Sequence, residues 1–159
     1  MRWASIAAMA CRSRSTNVVD LFAGSGALGI EALSRGAAHA TFVDRDRHAI
    51  AAIEANLTST GLADAATVRC QTVERAVEDA VSQGDRWTLA LIDPPYAFEG
   101  WEALLGALPA DVVVVESGRP VALPPGWRAI RERRYGATLV AILRPQPPGG
   151  APRGPDLPE

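Results

Sequence analysis

Lysine is absent from this 159-residue chain: all 16 basic side chains are arginine, against 18 acidic ones, for a formal charge of −2. The lack of lysine follows a composition rich in Arg, Ala, Gly and Pro and reads as codon bias. The near-neutral balance excludes a body that grips nucleic acid by bulk charge, so any such partner must be held by a local patch. Histidine and cysteine are scarce, two of each. His39 and His48 form no cluster, and Cys11 and Cys70 lack metal-ligand spacing, so no metal site is expected. Two distant thiols without a disulfide framework point to the cytoplasm. No apolar run reaches the ~20 residues that cross a bilayer. The segment Trp3 to Cys11, behind Arg2, has the flavour of a secretory leader, but core strand sequence starts six residues after Cys11 and leaves almost no tether for cleavage.

What is present suits one globular domain: 48% hydrophobic residues, and length enough for a single substantial core. Strand patterns at Asn17–Phe22, Ala40–Val43, Ala66–Cys70, Trp87–Ile92 and Val112–Val115 alternate with helical ones. The helices are Gly26–Arg35, Asp46 to about Ser59 with Asp46 as cap and Gly61 as stop, a stripe from Val73 to Val81, and Trp101–Leu108. Such alternation predicts an α/β fold, a mostly parallel sheet with helices on both faces. Trp127–Arg134 and Thr138–Leu143, joined through Tyr135-Gly136, predict a terminal antiparallel hairpin. The division expected is a short extension over 1–16, a core domain over 17–144, and a Pro/Gly-rich disordered tail over 145–159.

Two motifs carry chemistry. Asp93-Pro94-Pro95-Tyr96 follows an apolar strand, where a parallel sheet ends. Two prolines remove two N–H donors and fix two φ angles, leaving a stiff corner that only accepts hydrogen bonds. With a carboxylate on one side and an aromatic face on the other, the corner suits a planar group bearing an NH₂. The second motif is Asp20-Leu21-Phe22-Ala23-Gly24-Ser25-Gly26-Ala27-Leu28-Gly29, with Asp44 ending the next strand 20 residues after Gly24. G-x-G-x-x-G followed by an acid is a dinucleotide fingerprint, so an NAD-dependent oxidoreductase is one reading. Asp20, inside the strand where dinucleotide folds place an apolar residue, favours a ligand with an ammonium group, as in S-adenosyl-L-methionine. Both motifs belong to the carboxyl edge of the sheet, where open parallel sheets bind ligands.

The stretch Asp20 to Ala37, together with Asp93-Pro94-Pro95-Tyr96 and Arg134-Tyr135-Gly136, resembles the RsmD family of bacterial methyltransferases, which modify the exocyclic N2 of a guanine in 16S ribosomal RNA. The resemblance runs from about Asn17 to Leu143. It implies a Rossmann-like methyltransferase fold using S-adenosyl-L-methionine, with Asp20, Phe22, Ala23, Gly24, Ser25 and Gly26 at the methionine end of the cofactor. Asp44 would take the ribose hydroxyls, Arg45 would flank the adenine, and Thr72 and Val73 would border its ring, with Gln71 the nearest amide. Asp93 and the Pro94 carbonyl would clasp the target amine, and Pro95 and Tyr96 would complete the corner, with Tyr96 stacking on the base. Glu116 would border the target pocket, and Arg131, Arg133 and Arg134, with Arg128, would contact phosphates. The expected partner is ribosomal RNA, free or within an assembling small subunit, and the expected state is a cytoplasmic monomer without membrane contact. The sixteen residues before Asn17 do not match the Arg- and Thr-rich arm that family members carry there. Because other amino-methyltransferases share the Asp93-Pro94-Pro95-Tyr96 element, a DNA adenine-N6 or cytosine-N4 methyltransferase stands as an alternative, and the unmatched arm leaves a cofactor-binding remnant as another.

Overall fold

The computed structural model describes residues 15–147. Most of the expected 1–16 extension and of the 145–159 tail lies outside the described residues. Along the chain run β1 (Asn17–Leu21), α1 (Ala27–Ser34), β2 (His39–Asp44), α2 (Arg47–Thr60), a 3-10 turn (Ala63–Ala65), β3 (Ala66–Cys70) and α3 (Val73–Gln83). Then come β4 (Trp87–Ile92), α4 (Trp101–Ala107), β5 (Ala110–Ser117), β6 (Trp127–Tyr135) and β7 (Thr138–Pro145). The element order is the one the hydropathy pattern predicts, with boundaries moved by a residue or two. The 3-10 turn was not foreseen.

Local chemistry sets the boundaries. The Asp46 carboxylate accepts the His48 N–H at 3.0 Å and caps α2, satisfying a donor the first turn leaves orphaned. Thr72 does the same for α3 by accepting from Arg75 N–H at 3.3 Å. The α3 stripe buries Val73, Ala76, Val77 and Ala80, but its last expected member, Val81, is exposed.

The seven strands follow the order β3-β2-β1-β4-β5-β7-β6. The first five are parallel, β7 runs antiparallel beside β5, and β6 closes the edge as its hairpin partner. Successive strand residues face opposite sides of the sheet. Val19, Leu21, Ala90, Ile92, Val113 and Val115 therefore pack under α3 and α4, while Val18, Phe42, Leu89, Leu91 and Val114 belong to the layer holding α1 and α2. Each fully buried branched side chain contributes roughly 1.5–3 kcal/mol. This double layering makes the central strands largely apolar runs, with polar groups mainly toward their two ends. Among the described residues no helix is long and apolar enough to cross a membrane.

Candidate active site

The strand order brings the two motifs together. β1 and β4 are adjacent and parallel, with Leu21 paired to Ile92. The glycine loop after Leu21 and the proline corner after Ile92 are thus neighbours on one edge of the sheet. Strands there are about 4.8 Å apart.

The loop is held by its own polar groups. Asp20 is buried within β1, and its Oδ2 accepts the Gly29 N–H at 2.9 Å, tying the strand to the first turn of α1. Taking the carboxyl out of water pushes its pKa up to about 8, the Gly29 hydrogen bond lowers it in part, and the nearby Asp93 and Asp44 charges raise it further. Phe22, at φ 59°, is the one non-glycine residue with positive φ among the described residues, and Gly26 caps α1 at φ 80°. A bulky residue in that region is strained and persists only when its surroundings hold it. Here the Phe22 ring is fixed edge-to-face on Phe98, 5.2 Å between centroids, and Phe98 meets Trp101 the same way at 5.2 Å. Ala23 N–H donates to the Val43 carbonyl at 3.0 Å, and the exposed Ser25 offers its carbonyl to Asn56 Nδ2 at 2.9 Å.

Asp44 stands across the loop from Asp20. Its Oδ2 accepts from Gly24 N–H and its Oδ1 from Asp46 N–H, both at 2.9 Å, so the carboxylate is oriented before any ligand arrives. Beside it opens a cleft of about 610 Å³ lined by Phe22, Asp44, Arg45, Gln71, Thr72, Val73 and the Asp93-Pro94-Pro95 corner. That volume suits a small-molecule site. Its wall holds one buried polar atom without a partner, Gln71 Nε2. Buried amides are normally satisfied, so this one calls for a hydrogen-bonding ligand. The donor set, an oriented carboxylate, an orphan amide and aromatic surface, fits a nucleoside.

A second, smaller pocket of about 70 Å³ lies on the far side of the corner, lined by Asp93, Pro94, Pro95, Tyr96, Phe98, Glu116, Arg119 and Thr138 among others. Asp93 therefore stands between the two spaces. Partial loss of its hydration raises its pKa above the ordinary carboxylate value. Tyr96 is 82% exposed, and its ring lies over Gly118, where an added Cβ would sit 2.9 Å from Tyr96 Cε2 as well as against the phenol oxygen.

The arginines divide. Arg131 and Arg133 share one face of β6, and Arg134 takes the other. Their register partners on β7 are Ile142, Val140 and Leu139, and Glu116 on β5 also pairs with Val140. Glu116, Val140 and Arg133 thus form a row leading out from the pocket. Arg128, paired with Arg144, sits toward the opposite end of the sheet. The four do not form the single patch that their crowding in sequence predicts. Among the lining residues that sequence reasoning does not reach are Phe98 and Trp101, apolar residues near a helix start, and Arg119 and Thr138, each distant in sequence from either motif. Among the described residues no group of three or more metal-ligating side chains gathers.

Comparison with known proteins agrees with this geometry. Residues 2–144 match the protein family described as "Conserved hypothetical protein 95", so the match takes in residues ahead of Asn17, where the resemblance was placed. The Bacillus subtilis protein named "Putative rRNA methyltransferase YlbH" is 39% identical over 136 residues, 79% of this chain and 74% of its own. Ribosomal RNA small subunit methyltransferase D of Escherichia coli K12 is 30% identical over 142 residues, 82% of this chain and 69% of its own. A conserved hypothetical protein of Streptococcus pyogenes superposes with TM-score 0.74 at 34% identity, covering 83% of this chain and 87% of that one. An antiparallel β7 placed between β5 and β6 is also what separates this sheet from the all-parallel dinucleotide-binding fold. The architecture is that of the S-adenosylmethionine-dependent methyltransferases, and the chain belongs to the RsmD-like family described as "Conserved hypothetical protein 95".

Proposed function

We propose that this protein transfers a methyl group from S-adenosyl-L-methionine to the exocyclic N2 amine of a guanine in small-subunit ribosomal RNA, acting in the cytoplasm as a monomer. The observation that carries the reading is the adjacency of the glycine loop and the proline corner across β1 and β4, with Asp93 bordering both the larger cleft and the smaller pocket. When bound, the cofactor supplies an electrophilic methyl on a sulfonium.

Each residue then has a part. The strained Phe22 and the loop from Ala23 to Gly26 border the methionine end, above the buried Asp20. Asp44, already oriented by two backbone amides, accepts the ribose hydroxyls with its remaining lone pairs. Gln71 gives its orphan amide to an adenine nitrogen, beside Arg45, Thr72 and Val73. On the other side, Asp93 and the Pro94 carbonyl accept the two N–H bonds of the target amine. An aromatic amine is a weak nucleophile because its lone pair is delocalised into the ring; two acceptors held at a rigid corner favour the pyramidal nitrogen and aim its lone pair. With the cofactor supplying the methyl, the surplus proton left on the nitrogen would pass to Asp93 or to water. Holding the two reacting atoms in line supplies several kcal/mol of the barrier reduction, on the order of known proximity effects. Tyr96 stacks on the extruded base, and Arg131, Arg133 and Arg134 hold flanking phosphates.

Labelled cofactor offered with ribosomal RNA lacking the mark, and in parallel with plasmid DNA, tests the proposal. Label should enter RNA alone. Label in DNA alone makes this a DNA amino-methyltransferase, and cofactor binding without turnover on either makes it a remnant. Asp93→Ala should lower kcat by about 10²–10⁴ while S-adenosylhomocysteine affinity, followed by calorimetry, stays within about threefold.

A further inference from the structure

We infer that Glu116 reads the N1–H of the target guanine, so that Asp93 and Glu116 together recognise the unbroken row of donors on that base's Watson–Crick edge. The inference rests on the preceding reading of the Asp93-Pro94 corner as the clasp of the amine. Ile92 and Val115 are register partners on the parallel strands β4 and β5, so the next residues, Asp93 and Glu116, stand side by side at the sheet's carboxyl edge. Both line the small pocket, with Pro94 and Tyr96, and Glu116 is half-buried there.

Carboxylate oxygens at neighbouring positions present hydrogen-bond acceptors side by side. Their complement is a ligand edge that presents consecutive donors. Guanine does so, with N1–H beside the two N2–H bonds. If Asp93 and the Pro94 carbonyl take the amine hydrogens, Glu116 is the next acceptor along. Adenine and cytosine each place an unprotonated ring nitrogen beside their amine, and its lone pair would face the Glu116 carboxylate. An acceptor placed where guanine presents N1–H disfavours a base whose ring nitrogen turns a lone pair toward it. An aminomethylating corner that by itself fits any NH₂ thus gains a preference for one base.

The test uses the target RNA with its methylated guanosine first located by mass spectrometry, then replaced by 2-aminopurine. That base keeps the N2 amine but carries a bare N1. Wild-type protein should methylate it with kcat/KM about ten- to a hundredfold below guanine, the usual span for one base-reading contact. In Glu116→Gln, whose amide can donate to the bare N1, the ratio should fall to within about threefold, with S-adenosylhomocysteine affinity unchanged. If Glu116→Gln and Glu116→Ala both bind S-adenosylhomocysteine and both keep the wild-type ratio, Glu116 does not read N1 and the inference is overturned while guanine methylation stands. Wild-type protein that labels neither RNA overturns the proposed function and the inference with it.

Discussion

Asp20 shows how one side chain links stability, pH and ligand. Unfolded, it ionises at its ordinary 3.8; folded, burial holds it protonated up to about 8. Between those values the native state binds the extra proton, so the stability tied to this group is full below the lower value, falls as pH rises, and levels above the upper. Asp20→Asn keeps an oxygen for the Gly29 N–H and removes the slope. Thermal melts at pH 5 and pH 8 should show the gap in Tm narrowing in the variant, while Asp93, whose pKa is also raised, retains its own contribution of the same sign. An unchanged gap would mean that Asp20 ionises freely in the fold. Gly29 has a different constraint. A Cβ there would sit 2.8 Å from Phe42 Cζ, and Phe42 is fully buried and cannot retreat. Gly29→Ala should therefore cost about 1–3 kcal/mol in a denaturant melt, an overpacking penalty that outweighs the helix propensity gained. The motif showed that a small residue belongs at position 29, but which ring it makes room for depends on a strand in another part of the chain.

Among the elements, the β6–β7 hairpin shows a pattern that linear spacing hides. Four arginines within seven residues suggest one patch, yet strand alternation and the register shift between Ala129 and Arg131 spread them over two faces and both ends. Arg133 ends up in the row with Glu116, and Arg128 lies by the far edge opposite Arg144. RNA affinity measured against salt should reveal the difference. Arg133→Ala should weaken binding and reduce the slope of log K against log salt by about one, as for the loss of one phosphate contact. Arg128→Ala should change the slope by much less. Equal effects from both would place the RNA along the whole strand and not at its pocket end.

The whole molecule is organised by one sheet sandwiched between α1 and α2 on one face and α3 and α4 on the other. Its central strands are buried on both sides and the larger cleft opens at their carboxyl edge, so filling that cleft should stiffen the entire domain. S-adenosylhomocysteine at a hundredfold its Kd should stabilise the fold by about 2.7 kcal/mol, a rise in Tm of roughly 5–10 °C by scanning calorimetry. NAD should leave Tm where it is, because the antiparallel β7 marks a methyltransferase sheet. A shift with NAD alone would reverse that assignment.

The linear order of residues was enough to specify the alternating elements, the α2 cap at Asp46, the glycine loop and the proline corner, because each depends on periodicity or on chemistry within a few residues. Neighbourhood across the sheet was not in that order. Strand pairing set Leu21 beside Ile92 and Ile92 beside Val115, and from those pairings came the shared edge of the two motifs and the company of Asp93 and Glu116, while burial of β1 in the sheet raised the pKa of Asp20. Each of these rests on contacts between groups tens of residues apart, and such contacts exist only once the hydrophobic faces of the strands have been buried and their register chosen.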